Sequence, residues 1–516
     1  MFPIHSNPII SSDPSYLTGF RDFYPPVRTC LDPQCATLTH DRRELVQQLP
    51  IEVVVFTWAL GPVPAWSHSA KCRNCSTHYY PGYCIHGDTR IHYSGVPPAI
   101  QVTTHAYVEK SLCAHWRDSK AHAWVSATNN ARIYKLEHAS KIHLFPKHWT
   151  TNPELSPEII WDTFFQFSLL CECDEQVKNG SPVNLVMNNS GDQATRLHKK
   201  LDKRNKLMVG PGQEYWDHVC DLCCKVKVID GKPPVVTDGI TIGRPCCSVH
   251  DCQGDLPSQQ ARFCLAHSAK IEECAVDGCT ASVEQGYRTC PEEQHRKLEA
   301  LGDEGHTAMF QLRRRAQRHG VLQPEESILS SSGTDEVLQD NGLDVDEDGI
   351  CPEKDEAGNT KLRARFSRRR THGEQLCVAT CGVILGRATM YGSEAVSAVR
   401  VSSIELTDHE PHLANCALPV DVFHMKTKHK DSDKYCGTHC NPVLFPDLIQ
   451  DGKWRFNSSA AEMTNSWFGG FQSIVQEMRK DRYDFFLDEM IKQRNRMIVN
   501  DLECRGLHPY HIHSNI

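Results

Sequence analysis

The feature that most constrains this chain is a tandem repeat of cysteine and histidine between residues 247 and 295. Each half has three cysteines followed by one histidine, with four residues between the first two cysteines and ten or eleven before the third. Zn²⁺ takes four thiolate or imidazole ligands in a tetrahedron, and a loop of this length lets two ligand pairs close around one ion. The repeat therefore predicts two metal sites, with the ligands Cys247, Cys252, Cys264 and His267 in the first and Cys274, Cys279, Cys290 and His295 in the second.

Two alternatives to these sites stay open at the level of sequence. The two sets could exchange ligands, and the neighbouring Cys246 or His250 could replace one of them. A cysteine-rich core without metal would also bury many thiols. Such a core would not be expected to contain two successive sets of four ligand-type residues in the same order, so metal binding is the stronger interpretation.

The cellular setting also favours metal. The chain has 516 residues, enough for roughly three domains, and 25 cysteines. Its start lacks a basic segment followed by a continuous apolar one, so no secretory signal is expected. Thiols inside the cell stay reduced, which favours metal ligation over disulfides. No stretch is apolar for long enough to span a bilayer, so no membrane partner is expected.

A second candidate site precedes the repeat. Cys30 and Cys35 are separated by four residues, and Cys72 and Cys75 follow with two residues between them. Two such pairs form a zinc-ribbon-like set of four thiolates, and the loop between them is long enough to contain strands. Buried thiols without metal are the alternative.

Two further groups of ligand-type residues are less complete. The first consists of Cys220, Cys223 and Cys224, with Cys246 or His250 to complete the set. The second consists of His424, His429, Cys436 and Cys440, and structural histidines and cysteines at a strand end explain this second group equally well.

Charge limits how the chain can meet nucleic acid. The formal net charge is −8, so any DNA contact must be local. The basic run "RARFSRRR" predicts either a nuclear localisation signal or phosphate-binding arm, or a solvated segment. Ser126 or Thr128 is placed to cap a short helix that carries Arg132 and Lys135. A helix-turn-helix is one interpretation of that helix, and core packing is the other.

Hydrophobic periodicity predicts the main elements. A buried strand is expected in "EVVVFTW", and "VKVIDGKPPVVTDGITIG" predicts a hairpin that leads into the cysteine repeat. Helices are expected in "SPEIIWDTFFQFSLL", "DQATRLHKKLDKRNKLMV", "WFGGFQSIVQEM" and "YDFFLDEMIKQRNRMIVNDL".

Nine stretches between about residues 29 and 510 together resemble the fungal cysteine-cluster proteins associated with KDZ (Kyakuja-Dileera-Zisupton) transposases. The stretches are "VFTWALGPVPAWSHSAKCRNCSTHYY", "SATNNARIY", "GQEYWDHVCDLCC", "VTDGITIGRPCCSVHDC", "RFCLAHSAKIEECAVDGC", "GYRTCPEEQHRKLE", "LGRATMYGSEAV", "DVFHMKTKHKDSDKYCGTHCNPVLFPDLI" and "WRFNSSAAEMTNSWFGGFQSIVQEM".

The resemblance implies a transposon-derived protein in which two zinc-chelating clusters are attached to a ribonuclease H-like core. On that view Asp238 is similar to the first catalytic acid of such cores, and Glu462 is similar to the last. Relatives carry a strand ending in Asp-Asn that supplies the middle acid, and the stretch "SAVRVSSIELTDHEPHLANCALP" stands here in its place. Two-metal catalysis without this ligand loses part of its clamp on the reacting oxygens, so the core is expected to be inactive.

The sequence thus predicts an α+β multi-domain fold with two zinc-stabilised cysteine-cluster modules and an incomplete ribonuclease H-like α/β core. The expected units are a tail (1–28), an N-terminal zinc-ribbon-like domain (29–160), a helical segment with the first core strand (161–235), a central cysteine-cluster domain (236–296), a helix and charged linker (297–376) and a C-terminal transposase-like core segment (377–516).

The expected function is DNA binding through the cysteine clusters in the nucleus, with two to four zinc ions and with other transposon-encoded proteins as further partners. Two rivals remain. One is an active metal-dependent DDE-type transposase that uses magnesium, and the other is a zinc scaffold that binds proteins.

Overall fold

The structure is a computed structural model. It describes residues 21–32, 35, 45–143, 145–178, 184–191, 193–209, 212–223, 235–249, 252–305, 364, 366, 368–391, 437–438, 441–444, 449–454 and 456–511.

Short strands dominate the first hundred residues, and long helices follow. The strands are β1 Arg21–Phe23, β2 Val46–Gln47, β3 Ile51–Thr57, β4 Gly61–Ser67, β5 Ala70–Lys71, β6 His78–Tyr79, β7 Tyr83–His86, β8 Thr89–His92, β9 Ala99–Gln101, β10 Ala106–Glu109, β11 Val186–Asn188, β12 His218–Val219, β13 Val235–Ile240, β14 Pro245–Cys246, β15 Arg369–Arg370, β16 Gly373–Ala379, β17 Ile384–Met390, β18 Ile449–Gln450, β19 Lys453–Trp454 and β20 Tyr510–His511. The helices are α1 Lys110–Ala123, α2 Ala127–Glu137, α3 Ala139–His143, α4 Pro157–Lys178, α5 Gln193–Leu207, α6 Glu293–Gly305, α7 Ala460–Gly469, α8 Gln472–Val475 and α9 Lys480–Cys504.

The N-terminal part contains a five-stranded sheet in the order β1-β4-β3-β10-β9. Its central strand β3 is the run of β-branched and aromatic residues predicted to be a buried strand, and Val53 to Phe56 are buried. Gly61 makes the tight connection to β4 with a φ of +73°, and a side chain there would meet the His138 ring at 3.0 Å. Glycine is therefore required at this turn by both conformation and space.

A second sheet, in the order β11-β8-β7-β6-β5-β2, carries two cysteines of the N-terminal candidate site. Strands β5 and β6 form a hairpin, and Cys72 and Cys75 lie in the connection between them. The hairpin holds these two thiols in a fixed position relative to each other.

Three of the four predicted helices are confirmed as α4, α5 and α9, whereas the fourth, "WFGGFQSIVQEM", is divided between the end of α7 and the short α8. Ser156 caps α4 by accepting a hydrogen bond from the Ile159 backbone, and α9 runs for 25 residues. Aromatic rings of the two helices pack against each other, with Phe165 and Phe485 at 5.7 Å between ring centroids. The N-terminal and C-terminal parts of the chain therefore share one hydrophobic core.

A third sheet is an antiparallel meander in the order β13-β16-β17. Neighbouring strands β13 and β16 lie far apart in sequence, and the chain between them contains the whole cysteine repeat. The repeat is thus inserted between two paired strands. The earlier strand of the predicted hairpin, around residue 228, lies outside the described residues.

Candidate metal centres

The first centre joins the two N-terminal cysteine pairs. The Sγ atoms of Cys30 and Cys75 are 3.5 Å apart, and those of Cys35 and Cys72 are 3.8 Å apart. A tetrahedral zinc ion with Zn–S bonds of about 2.3 Å holds its sulfurs about 3.8 Å from one another. All four sulfurs lie within 4.8 Å of each other. The set fits one tetrahedral ion.

Polar groups surround these sulfurs. Asn74 donates to Cys35 at 3.3 Å, and the Tyr79 hydroxyl lies 3.2 Å from the Cys30 sulfur. Burial raises the pKa of Cys30 to about 12 and also raises that of Cys75. Thiolates at this centre therefore need a cation to compensate their charge, as metal ligation provides.

The second centre consists of the first half of the repeat. His267 lies in a 3-10 helix, Leu265–Glu272, that starts directly after Cys264. Its Nδ1 is 3.6, 3.4 and 3.3 Å from the sulfurs of Cys247, Cys252 and Cys264. A tetrahedral Cys3His site has sulfur–nitrogen distances of about 3.5 Å. Nδ1 is therefore the nitrogen placed to bind metal.

Gly254 belongs to the same centre. Its N–H donates to the Cys252 sulfur at 3.4 Å, and a Cβ at this position would lie 2.9 Å from the Cys264 sulfur. Burial opposes ionisation of Cys247, but hydrogen bonds from the Cys264 and Val249 backbone and from His267 outweigh it and lower the pKa of Cys247 to about 7. One ligand of this set is thus close to ionisation at neutral pH.

The third centre consists of the second half of the repeat. Helix α6 supplies His295, whose Nδ1 is 3.5 Å from the Cys274 sulfur and 3.1 Å from the Cys290 sulfur. Cys279 and Cys290 are 4.0 Å apart. A hydrogen bond from the Glu292 backbone, together with His295, lowers the pKa of Cys290 to about 7. The helix is anchored by Glu299, which accepts from Thr289 at 2.5 Å.

The two halves of the repeat do not exchange ligands in the structure. Each half closes on itself in sequence order, with its four ligand atoms within 4.8 Å of one another. Cys246 lies in β14 opposite Arg369, apart from both groups, and His250 lies outside the described residues. No disulfide links any cysteine that the structure describes.

Comparison with protein families identifies both cysteine regions. Residues 18–138 match the family model described as "CxC5 like cysteine cluster associated with KDZ transposases", and residues 236–301 match "CxC6 like cysteine cluster associated with KDZ transposases". The chain carries two cysteine clusters associated with KDZ transposases. The resemblance predicted from the sequence is confirmed for both clusters, and neither description names a source organism.

Searches of curated proteins and of solved structures found no match to this chain. The CxC5-like region contains the first centre, and the CxC6-like region contains the second and third. Cysteine groups that could bind metal and a mixture of α and β elements are thus established. Among the described residues, no helix combines the length and apolar character that crossing a membrane requires.

A fourth group lies outside both matched regions, and the sequence predicted only two of its members, Cys220 and Cys223. His218, Cys220, Cys223 and Cys381 place their ligand atoms within 4.8 Å of one another. The prediction was that Cys246 or His250 completes the Cys220–Cys223 pair; Cys246 does not belong to the group, and His250 lies outside the described residues. Cys224 lies outside the described residues, as do the ligand-type residues of the last predicted group, His424, His429, Cys436 and Cys440.

The two predicted catalytic acids lie on neighbouring elements. Asp238 is in β13 opposite Leu376, and Glu462 is an exposed residue in the first turn of α7. Helix α7 packs on β13, and Asn465, one turn after Glu462, donates to the Gly239 carbonyl at 3.1 Å. The two backbones are therefore close. The stretch that stands in place of the middle-acid strand, residues 397–419, lies outside the described residues.

Other acids near this sheet are neutralised by arginine. Glu374 of β16 is fully buried, and Arg387 binds it at 2.9 Å and Asp488 at 2.7 Å. Burial raises the pKa of Glu374, and the charge of Arg387 opposes that shift. These acids form an internal ion network rather than a cation site.

The basic run also has a structural role where it is described. Arg369 donates to the carbonyls of Val249 and Tyr391, and Arg368 and Arg370 pair with Glu477. These arginines fasten the CxC6-like region to the end of α8. They are not the fully solvated segment that was one of the two predictions.

Proposed function

We propose that this chain is a transposable-element-derived zinc protein of the KDZ type. Closed sets of four thiolates, or of three thiolates and one imidazole, are typical of structural zinc, and the distances between ligand atoms support a tetrahedral ion. Three such sets lie in the two matched regions, within the predicted range of two to four ions. Zinc would supply folding free energy here rather than chemistry, since each set of protein ligands is complete.

We further propose that the CxC5-like region binds DNA. It has twelve lysine and arginine residues against nine acidic ones, whereas the CxC6-like region has six against ten. Because the affinity of proteins for DNA comes largely from neutralised phosphates, the CxC5-like region is the electrostatically favoured surface. This charge difference is the observation that carries the proposal.

The helix pair α1–α2 is the element best suited to enter a groove. A three-residue turn joins the helices, and the Ser126 hydroxyl accepts from the Asn129 backbone to cap α2. The first turns of α2 expose Thr128, Asn129 and Arg132, side chains that read base edges when such a helix lies in the major groove.

A binding measurement on duplex DNA at several salt concentrations tests this proposal. Arg132→Glu is expected to weaken binding about tenfold or more, because it removes a base-edge contact and places a negative charge against the DNA. The matched control is Lys297→Glu, an equal charge change at an exposed site of the CxC6-like region, which is expected to leave binding unchanged. Absence of salt-dependent binding by the unmodified chain would refute DNA binding.

The core is proposed to be a ribonuclease H-like transposase fold that is catalytically defective. The antiparallel meander β13-β16-β17, with α7 packed on its first strand, supports this fold, and Asp238 and Glu462 lie on the two packed elements. In an active core these acids would hold Mg²⁺. The resemblance implies a middle acid from an Asp-Asn pair, and the sequence "SAVRVSSIELTDHEPHLANCALP" at that place contains no Asp-Asn, which supports a defective core.

Strand cleavage in the presence of Mg²⁺ separates this proposal from the rival, an active DDE-type transposase. The unmodified chain is expected to give no more product than Asp238→Asn or Glu462→Gln. Metal-dependent cleavage that both substitutions abolish would establish the active enzyme instead.

A protein-binding scaffold is the second candidate, and the CxC6-like region favours it. Four of that region's six basic side chains pair with its own or adjacent acids: Lys270, Arg288, Arg296 and Lys297. The region has ten acidic residues against six basic ones, so its surface keeps an excess of negative charge. A negatively charged surface suits a basic protein partner, for example another transposon-encoded protein. A nuclear location is proposed together with DNA binding, and microscopy of the tagged chain in cells tests it.

A further inference from the structure

The group formed by His218, Cys220, Cys223 and Cys381 has the geometry of the three centres in the matched regions. The Cys220 and Cys223 sulfurs are 3.6 Å apart, and the Cys381 sulfur is 3.4 Å from Nε2 of His218. These values match the sulfur–sulfur and sulfur–nitrogen distances of a tetrahedral Cys3His ion, about 3.8 and 3.5 Å. The donor set is also the same, with histidine first instead of last.

Two separate parts of the chain position these ligands. His218 belongs to β12, and Cys220 and Cys223 follow it directly. Cys381 comes from the tight turn between β16 and β17, where Gly382 has a φ of +95° and donates to the Ala379 carbonyl at 2.8 Å. This turn directs Cys381 at the pair, and the Cys223 sulfur accepts a hydrogen bond from the Cys381 backbone.

Among the described residues, most of this group is closed off from solvent. His218, Cys220 and Cys223 are almost fully buried, and Ala379, Val383, Leu385 and Leu502 pack around the cysteines. Strand β20 pairs with β12, and ion pairs between Asp217 and His511 and between Asp221 and His508 flank it. A closed site in an apolar shell is typical of structural zinc.

We propose that His218, Cys220, Cys223 and Cys381 bind a further structural Zn²⁺, which clamps the segment before β13 to the β16–β17 hairpin. The ligands lie outside both regions that match cysteine-cluster families. The ion joins residues 163 positions apart, across the inserted CxC6-like region. It would keep the meander assembled whatever the state of the insertion. The proposal shares the choice of zinc with the proposed function but is independent of DNA binding.

Native mass spectrometry of the zinc-loaded full chain, read as the difference between variants, tests this site. Cys381→Ser is expected to bind one zinc ion fewer than the unmodified chain, and His218→Ala should lose the same ion. Cys504→Ser is the control, since Cys504 is exposed at the end of α9 and belongs to no group, and it should bind the full number.

Ligand exchange keeps the test decisive if Cys381→Ser fails to fold. Cys381→His and His218→Cys both return a zinc ligand, so both are expected to fold and to bind the full number of ions. An unchanged ion count in folded Cys381→Ser would overturn the proposal, as would loss of an ion in both ligand-exchange variants. Because DNA binding does not enter the measurement, failure here leaves the proposed function standing.

Discussion

The CxC5-like and CxC6-like regions use the same ligand chemistry but differ in what lies behind it. In the CxC5-like region, the metal group sits beside sheets whose core includes Val53, Phe56 and Tyr107, all essentially inaccessible to solvent. In the CxC6-like region, the 3-10 helix after Cys264 buries no residue, and its Leu265 and Ile271 are 75% and 65% exposed. Among the side chains of the CxC6-like region whose burial the structure describes, only Ile242 and Val276 are hydrophobic and buried besides its cysteines.

This difference indicates two roles for the same kind of ion. A polypeptide with almost no hydrophobic core cannot offset its chain entropy, so the CxC6-like region needs its metal in order to fold. The CxC5-like region is part of the large hydrophobic core that it shares with the C-terminal helices, and its metal fastens the loop at Cys30 to the β5–β6 hairpin. Metal therefore stabilises the fold of the CxC6-like region, and hydrophobic packing stabilises the fold of the CxC5-like region.

The largest effect is expected from removing metal. A strong chelator should unfold the CxC6-like region, because structural zinc contributes about 10–16 kcal/mol in small zinc domains, more than a typical domain's whole stability. Hydrogen exchange followed by mass spectrometry should show peptides from 246–301 losing all protection, while β3, β4 and β10 keep theirs.

Single-ligand variants refine this measurement. Cys264→Ser should deprotect 246–273, and Cys72→Ser should deprotect only the surroundings of the β5–β6 hairpin. Simultaneous loss of protection in β3 and in the CxC6-like region on chelation would contradict the distinction between the two regions.

A substitution in the hydrophobic core should have the opposite distribution. Phe56 is fully buried in β3 and packs edge-on against Tyr134 at 5.9 Å. Phe56→Ala should reduce the free energy of unfolding of the shared hydrophobic core by about 3–5 kcal/mol, since it leaves a cavity. Denaturant unfolding monitored by tryptophan fluorescence measures it, and the control Leu49→Ala, at a 90% exposed site, should change little.

The CxC6-like region was easier to predict from sequence than the CxC5-like region, because its ligands follow a local pattern. Each Cys3His set lies within about twenty residues, so spacing alone was enough to propose its members. Strand β3 and helices α4 and α9 were equally accessible, because their hydrophobic periodicity is local. The order of the ligands in the two halves of the repeat also matched the way in which they come together.

Features created by tertiary contact were missed. Cys381 lies beside His218 although 163 positions separate them, a proximity that no local spacing encodes. The arginines of the basic run were expected to be solvated or to bind phosphate, but Glu477 arrives from another part of the fold to bind Arg368 and Arg370. The ion network around Arg387 was not predicted for the same reason.

A glycine substitution tests the metal-held region at a finer level. Gly254→Ala would place a methyl group 2.9 Å from the Cys264 sulfur, so the loop must shift away from the ligands. Zinc affinity of the second centre should fall about 10- to 100-fold, as when an outer partner of a metal ligand is lost. Competition with a chromophoric chelator measures this. Gly82→Ala, whose new methyl group meets no atom within 4 Å, should retain full affinity.

The smallest expected effect on stability comes from a buried charge in the CxC5-like region. Lys120 of α1 is fully buried, and its ammonium donates to the Trp116 carbonyl at 3.3 Å and lies 5.4 Å from the Trp161 ring centre. Burial lowers the pKa of Lys120 from 10.5 to about 7. The folded state therefore binds fewer protons than the unfolded state between these values, and the lysine costs stability at neutral and lower pH.

Lys120→Met should accordingly stabilise the chain at pH 7 by about 1 kcal/mol, near the low end for burial of a polar group, because the ammonium retains a hydrogen bond and a ring contact. The gain should be complete below pH 7 and should shrink as the pH rises towards 10.5, where lysine is neutral in both states. Thermal unfolding of both proteins across this range measures the difference. A gain independent of pH would mean that packing alone is responsible. A loss of stability would mean that the core depends on this charge as the CxC6-like region depends on its metal.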